Sequence, residues 1–414
     1  MEAKVTRMWP EVATLKVLFV HERFGAFAGA ESNLLATARE LKERGHSLVL
    51  LHGPFTGKGS VAWHRVFDRH YSLRHEGDTE SVQAALAAPQ PDVIYVHKMA
   101  DLQVLEALLA SGVPVARMVH DHDLYCMRSY KYNCFTRRIC SRPASPFCVF
   151  PCGAFVARNE RGRLPLKWVS YSAKLRELEL NRKFHRMIVA TKFMRDELLR
   201  NGFDPARIEV HPPVPQDGDS SVRSSFSERN LILYAGQVIR GKGVDVLIES
   251  LSQIHVPFEC FIFGDGNHRA HCQRLSEQLG LADRVHFKGY VPPEELAIYY
   301  RECSAMAVSS VWPEPFGASG LEGMRYGIPV VAFDAGGIKE WLLDGYNGHL
   351  VPWMDATAFA ARLEDLLRDK SRARQLGEQG RQMLAERFGF DDYIARLEEL
   401  LVRVAHEPIP FVTA

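Results

Sequence analysis

Glu314 and Glu322 stand at the two ends of one short run, Glu314-Pro-Phe-Gly-Ala-Ser-Gly-Leu-Glu322. Gly317 and Gly320 inside it carry no Cβ, so the backbone there can approach a ligand closely. The run follows a strand-like stretch and opens a helix-like one, and the free N–H groups of a helix start hold anions such as a diphosphate. The two carboxylates repel phosphate. Their chemistry is to accept hydrogen bonds from hydroxyl-rich groups such as a sugar or a ribose. A structural role competes with this one: Ser319 and Glu322 have the Ser-x-x-Glu spacing of a capping box, which would employ Glu322 at the helix start.

Three more turns in the same half of the chain suit a phosphate-bearing ligand. Gly236-Gln-Val-Ile-Arg240-Gly-Lys242-Gly243 is a Gly-rich turn with two cations. Gly264-Asp265-Gly266 ends the next strand tightly, and Phe287-Lys288-Gly289-Tyr290-Val291 ends a third, where backbone groups would meet a base.

The elements that must position these residues alternate. Strands are expected at 16–20, 47–51, 92–97, 113–120 and 186–191, with a helix over 31–44, and buried strands followed by helices mean parallel βαβ units. The stretch 211–230 is rich in Pro, Ser, Asp and Gly and reads as a linker. A second series begins at 231–236 and continues with strands at 258–264, 284–289, 305–310 and 328–333. It closes with helices at about 355–369, 371–387 and 391–405. The expected architecture is α/β: two tandem Rossmann-like, doubly wound domains facing a cleft, where ligands bind beyond the carboxyl ends of the strands. The domains run 1–210, with a Cys-rich insertion at about 123–170, and 231–388. A C-terminal helix and tail, 389–414, return to the first domain.

The chain has 414 residues, 51 Lys plus Arg against 50 Asp plus Glu, and 46% hydrophobic residues. That is ordinary globular composition, which excludes disordered, collagen-like and coiled-coil classes. The longest charge-free run, 143–157, contains three prolines and is too short to span a membrane. The N-terminus lacks the apolar core of a signal peptide, so a cytoplasmic protein is expected. Charge is uneven: residues 128–200 hold 17 Lys/Arg and 5 Asp/Glu, a local +12, which leaves −11 for the rest. An anionic partner would explain that asymmetry.

The second domain resembles the donor half of the family 4 glycosyltransferases through AGQVIRGKGVDVLI, FIFGDGN, VHFKGYVPPEEL and EPFGASGLEGMRYGIPVVAFDAGGIKEWL, with Glu314 and Glu322 meeting the Glu-x7-Glu pattern. The first domain is similar more loosely, through KVLFVHERFGAFAGAES and the strand-end His120. The resemblance implies the GT-B fold and a retaining transfer of a hexose-type sugar from a nucleotide-diphosphate sugar to a saccharide or lipid-linked acceptor, in surface polysaccharide or glycoconjugate synthesis. It implies Glu322 on the ribose, Glu314 on the transferred sugar, and Arg240 and Lys242 on the departing diphosphate. The backbone of Phe316, Gly317 and Ala318, with Gly236, Gly264, Tyr290 and Gly29, would complete the donor site. His120 would contact the transferring sugar. No cofactor would be required for catalysis. Two positions depart from the family pattern. Gln237 stands where Arg is common, and Ala28-Gly29-Ala30-Glu31 replaces Gly-Gly-Ala-Glu.

Cys126, Cys134, Cys140, Cys148 and Cys152 fall within 27 residues, without a Cys-x2-Cys pair. They read either as ligands of a structural zinc or cluster or as reduced packing thiols, disulfides being disfavoured in a reducing compartment. The basic stretch 157–195 places Trp168, Tyr171, Leu175 and Leu178 at the spacing of one helical face. It reads as a helix packed on the first domain or as a peripheral attachment to an anionic membrane surface. Nucleic acid is not expected, since no recognised module accompanies the charge. Two other readings stay open beside transfer: a nucleotide-sugar hydrolase or epimerase of the same fold, and a non-catalytic nucleotide-sugar-binding scaffold.

Overall fold

The structure, a computed structural model, describes residues 14–25, 29–87, 90–133, 136–158, 166–216 and 222–407. Two parallel sheets form it. In spatial order the first contains Arg69–Ser72, Ser47–His52, Lys16–His21, Val93–Lys98, Val115–Val119, Arg186–Val189 and Ile208–Val210. The second contains Val285–Gly289, Glu259–Phe263, Leu231–Ala235, Cys303–Val308, Val330–Phe333 and Gly348–Val351. Every pairing in both sheets is parallel. The central strands are near-continuous apolar runs because helices cover both faces: Lys16–His21 and Ser47–His52 bury every residue except the first.

Both orders reverse beside the first strand of their sheet, which opens a crevice at the carboxyl ends. Three strands of the two parallel sheets escape the sequence pattern. Arg69–Ser72 is exposed along most of its length, Ile208–Val210 is three residues long, and Gly348–Val351 begins at a glycine. The strand expected at 284–289 is present as Val285–Gly289, with only its two ends buried.

The last helix, Phe390–Ala405, packs on the first domain. Tyr393 Oη lies 3.3 Å from both Asn33 and Thr37, and Glu398 holds Arg44 at 3.0 Å and His46 at 2.7 Å. The expected return of the C-terminus is therefore a set of specific polar contacts around a buried apolar face. Arg387–Phe390, with His211, lies at the crossing from one domain to the other, and the His211 ring stacks on Tyr393 at 4.7 Å.

The basic stretch is built differently from its helical reading. The helix spans Tyr171–Arg182, capped by Ser170, whereas Trp168 belongs to a two-stranded antiparallel ribbon, Val156–Arg158 with Leu166–Trp168. Trp168 is 81% exposed and stacks on Phe155 at 5.6 Å. It cannot share the helical face of Leu175 and Leu178. Part of the positive excess is offset by acids from elsewhere. Arg176 pairs with Glu106, Arg137 with Asp245, and Arg186 with Glu407.

Candidate functional site

The strand Cys303–Val308 ends at Ser309-Ser310, and the chain then crosses the cleft mouth before entering the helix Ala318–Arg325. Gly317 caps that helix at φ 83°, a left-handed conformation that favours glycine. Glu314 is pinned through its backbone: its N–H donates to Ala335 O at 3.1 Å and its carbonyl accepts from Gly337 N at 2.7 Å. The residue is buried, 4% exposed. Oε1 accepts from Lys242 Nζ at 2.6 Å, from Trp312 Nε1 at 2.9 Å and from Ser310 Oγ. Burial alone would raise the Glu314 pKa, but Lys242 and these donors outweigh it and hold the carboxyl below its ordinary range. Glu314 is thus an ionised acceptor whose three described bonds all fall on Oε1. Among the described residues no hydrogen bond is made to Oε2.

Lys242 lies in the single turn Arg240–Lys242 between the strand Leu231–Ala235 and the helix Val244–Leu251. The turn is tight because Gly243, at φ 63°, brings its Cα against Ser309, where a Cβ would meet the carbonyl oxygen at 2.1 Å. Lys242 stands on Glu314 and lies 5.0 Å from the Trp312 ring. The family resemblance assigns Lys242 to the departing diphosphate; in the structure its ammonium neutralises the Glu314 carboxylate. Arg240, two residues earlier in the same turn, is exposed.

Glu322 is the fifth residue of the helix and accepts from Tyr300 Oη at 3.3 Å. The capping box does not form: Gly317 is the cap residue, and Ser319 already lies inside the helix. Burial raises the Glu322 pKa, with Arg325 and Tyr300 opposing it. Phe316 O accepts from the buried Trp341 Nε1 at 2.5 Å, and Gly320 packs on the same indole, where a Cβ would lie 2.2 Å from the ring. Nearby strand ends are sewn together through their backbones. Gly236 N donates to Phe263 O at 3.0 Å and Gly264 N to Gly289 O at 2.7 Å, while Tyr290 is 81% exposed.

Domain one meets this loop directly. His120 follows the strand Val115–Val119, and two residues on His122 Nε2 donates to Pro313 O at 2.7 Å while Tyr125 Oη donates to its Nδ1 at 2.7 Å. Thr191, after the strand Arg186–Val189, donates to Pro315 O at 2.8 Å. The carbonyls on either side of Glu314 are therefore held by the other domain. Glu340 returns the contact by accepting from Lys192 N and Phe193 N, each at 2.9 Å, at the start of helix Lys192–Arg200. Thr191, Trp312, Ser310 and Glu340 were not among the sequence candidates. Thr191 and Ser310 stand just beyond a strand end, which does not say what they touch, and Trp312 and Glu340 lie further along their loops. Gly29 opens the helix Gly29–Glu43, and a Cβ there would meet nothing within 4 Å.

The Cys-rich segment leans on the turn Arg240–Lys242 and its surroundings. Tyr130 lies 5.8 Å from Trp312 between ring centroids, the Tyr132 ring faces Gly241, and buried Arg137 grips Asp245 at the start of helix Val244–Leu251. Cys126, Cys140, Cys148 and Cys152 are free, half-buried thiols, and Cys134 lies outside the described residues. Among the described residues the potential ligand atoms that converge are those of Asp245, His268 and His271, and no such group includes a cysteine. The four described thiols thus do not converge as the ligands of one ion would. Asp245 is already held by Arg137.

The family described as Glycosyl transferases group 1 matches residues 217–383, and Glycosyltransferase Family 4 matches 27–214. A D-inositol 3-phosphate glycosyltransferase of Xylanimonas cellulosilytica is 33% identical over 231 residues, covering 51% of this chain and 55% of that one. The GDP-mannose-dependent alpha-(1-6)-phosphatidylinositol monomannoside mannosyltransferase of Mycolicibacterium smegmatis is 31% identical over 216 residues, 50% of this chain and 56% of that one. The chain thus spans about half the length of the curated relatives it matches. The crystal structure of Anabaena HepE in complex with UDP-glucose superposes at a TM-score of 0.70 with 19% identity, covering 94% of this chain and 100% of that one. Two family matches that together run through both domains, on two facing Rossmann-like sheets, place this chain in the family 4 glycosyltransferases of GT-B fold.

Proposed function

We propose that the protein is a retaining glycosyltransferase that moves a hexose-type sugar from a nucleotide-diphosphate sugar to a saccharide or lipid-linked acceptor. The observation that carries the reading is Glu314: buried, ionised, fixed through backbone and side chain, and with one carboxylate oxygen unclaimed at a glycine-capped helix start. In this role Oε2 accepts from a hydroxyl of the transferred sugar and fixes its orientation, and Glu322 accepts from the ribose. The N–H groups at Phe316, Gly317 and Ala318 face the diphosphate, with Gly236, Gly264 and Tyr290 nearer the nucleoside. Arg240 and Lys242 stabilise charge as it develops on the leaving diphosphate, a large contribution to rate in a desolvated cleft. Gly29 and His120 approach from the first domain. No metal is assigned a step, because the cations at the diphosphate are side chains.

The relatives named above act on inositol phosphate and on a phosphatidylinositol mannoside, and their acceptors support a polyol or lipid-linked acceptor here. Among the described residues no helix is long and apolar enough to cross a membrane. A peripheral contact at the inner membrane face draws support from exposed aromatic residues on the Cys-rich segment, Phe147, Phe150 and Trp168, rather than from the helix. Flotation with anionic vesicles tests it: loss on replacing Phe150 and Trp168 with Ser supports it, and absence of flotation removes it. A structural zinc on the cysteines of the Cys-rich segment is tested by metal analysis of the purified protein.

The first test is a thermal-shift panel of nucleotide diphosphates and their sugars. A ligand at a hundred times its Kd adds about 2.7 kcal/mol of stability. One nucleotide class standing out identifies the donor for transfer assays. No shift for any of them would remove the donor reading. Turnover of donor with no acceptor present, at the rate seen with acceptor, would favour a hydrolase or epimerase. Binding without any turnover would favour a scaffold.

A further inference from the structure

Three histidines end neighbouring strands of the first sheet: His21 on Lys16–His21, His97 on Val93–Lys98, and His120 just past Val115–Val119. His97 Nδ1 and His120 Nε2 lie 2.8 Å apart, with ring centroids at 5.1 Å and planes 25° from parallel. One proton must sit between these two nitrogens, and the ring that owns it fixes the tautomer of both. His97 is 2% exposed, packed between Phe19 and Tyr95, and its Nε2 has no hydrogen-bond partner among the described residues.

Two arrangements are possible for neutral rings. If His120 donated, His97 would carry its own proton on Nε2 and bury an N–H donor with no acceptor. If His97 donates from Nδ1, only a bare lone pair is buried. Orphaned buried N–H groups are the rarer and costlier defect. We infer that His97 is a positioning residue which donates its Nδ1–H to His120 Nε2, so that His120 is held as the Nδ1–H tautomer with that proton available to the cleft. The surroundings keep both rings neutral. Burial lowers the His97 pKa well below its ordinary value and that of His120 to about 3, and His21, Lys98 and Arg117 act in the same direction on His120. Asp121 beside them is engaged by Lys98 at 2.9 Å, and Glu31 lies 3.7 Å from His21.

This inference deepens the proposed transfer reaction and rests on it for its consequence. His120 would then face a transferring sugar as a hydrogen-bond donor of fixed direction, suited to a hydroxyl oxygen and unsuited to act as a base. The test uses two variants of the full chain. In His97→Asn the amide nitrogen falls close to the Nδ1 position and can still donate, whereas His97→Leu removes the donor. Turnover is read as nucleotide diphosphate released from UDP-glucose or GDP-mannose. We expect His97→Leu to lower kcat about tenfold with little change in donor KM, and His97→Asn to recover most of it.

The second readout needs no activity. With ¹⁵N-histidine labelling, His120 should show a protonated Nδ1 and an unprotonated Nε2 in the wild type and in His97→Asn, and mixed tautomers in His97→Leu. An Nε2-protonated His120 in the wild type overturns the inference, as does wild-type kcat in a folded His97→Leu. If no donor is turned over by the wild type, the proposed function fails while the tautomer result still decides the inference.

Discussion

Replacing Glu314 with Gln removes one charge and little else. The amide keeps an oxygen for Trp312 Nε1 and Ser310 Oγ, which now donate to Oε1. It presents an NH2 where Oε2 stood, so a sugar hydroxyl loses its acceptor. Hydrogen bonds to a charged group are each worth about 1.5–3 kcal/mol. A loss of about 2–3 kcal/mol, felt in the transition state, slows transfer roughly 30- to 150-fold. Lys242, now 2.6 Å from a neutral amide, loses its counter-charge and becomes a better phosphate ligand. Nucleotide diphosphate should therefore bind as tightly as before or more tightly. The assay pairs calorimetric Kd values for UDP and GDP with transfer rates at saturating donor. Loss of nucleotide binding with fold intact would refute the reasoning, because Glu314 would then be shaping the diphosphate loop rather than holding the sugar. Wild-type transfer would refute it as well.

Gly320→Ala should destabilise the protein by about 1–3 kcal/mol, the usual cost of overpacking, since the new methyl meets Trp341 at 2.2 Å. Donor affinity should fall with it, because Trp341 fixes the Phe316 carbonyl; a Tm and a Kd both unchanged would contradict this packing. Arg137→Met leaves Asp245 buried without its guanidinium and should cost about 3 kcal/mol. Adding Asp245→Asn should restore most of that loss in urea melts; equal melts for all three proteins would show the pair to be idle. Stability should also fall on acidification between about pH 6.5 and 4. Burial lowers the pKa of His21, His52 and His211 each to about 4, so the unfolded chain binds protons in this window that the folded chain refuses. Each contributes a slope of about 1.4 kcal/mol per pH unit with stability rising with pH. Urea midpoints that stay flat from pH 7 to 4.5 would refute that assignment.

Much of the architecture was legible because it rests on local pattern. Apolar runs of five or six residues, each followed by a helical pattern, can bury both faces only in a parallel sheet between helices. The Glu314–Glu322 run showed, without any knowledge of contacts, where a strand end passes through a glycine into a helix. Strands such as Arg69–Ser72, mostly exposed, and Ile208–Val210, three residues long, left no such trace. Their pairing is with neighbours and not with their own side-chain sequence.

What lay beyond the sequence is whatever joins residues far apart in the chain. The spacing of Trp168 and Tyr171 fitted one helical face as well as it fitted a ribbon followed by a helix, and only tertiary context separates the two. The basic excess of 128–200 looked like a patch for an anionic partner, yet Glu106, Asp245 and Glu407 neutralise part of it from outside the segment. Lys242 was readable as a cation in a glycine turn, but its salt bridge to Glu314 spans 72 positions. His122 on Pro313, Thr191 on Pro315 and His97 on His120 follow the same rule. The sequence by itself determined which strand ends carry polar groups, because alternation is local. Which of those groups meet, and hence which charge is paired and which proton is held, was decided by the facing of the two sheets.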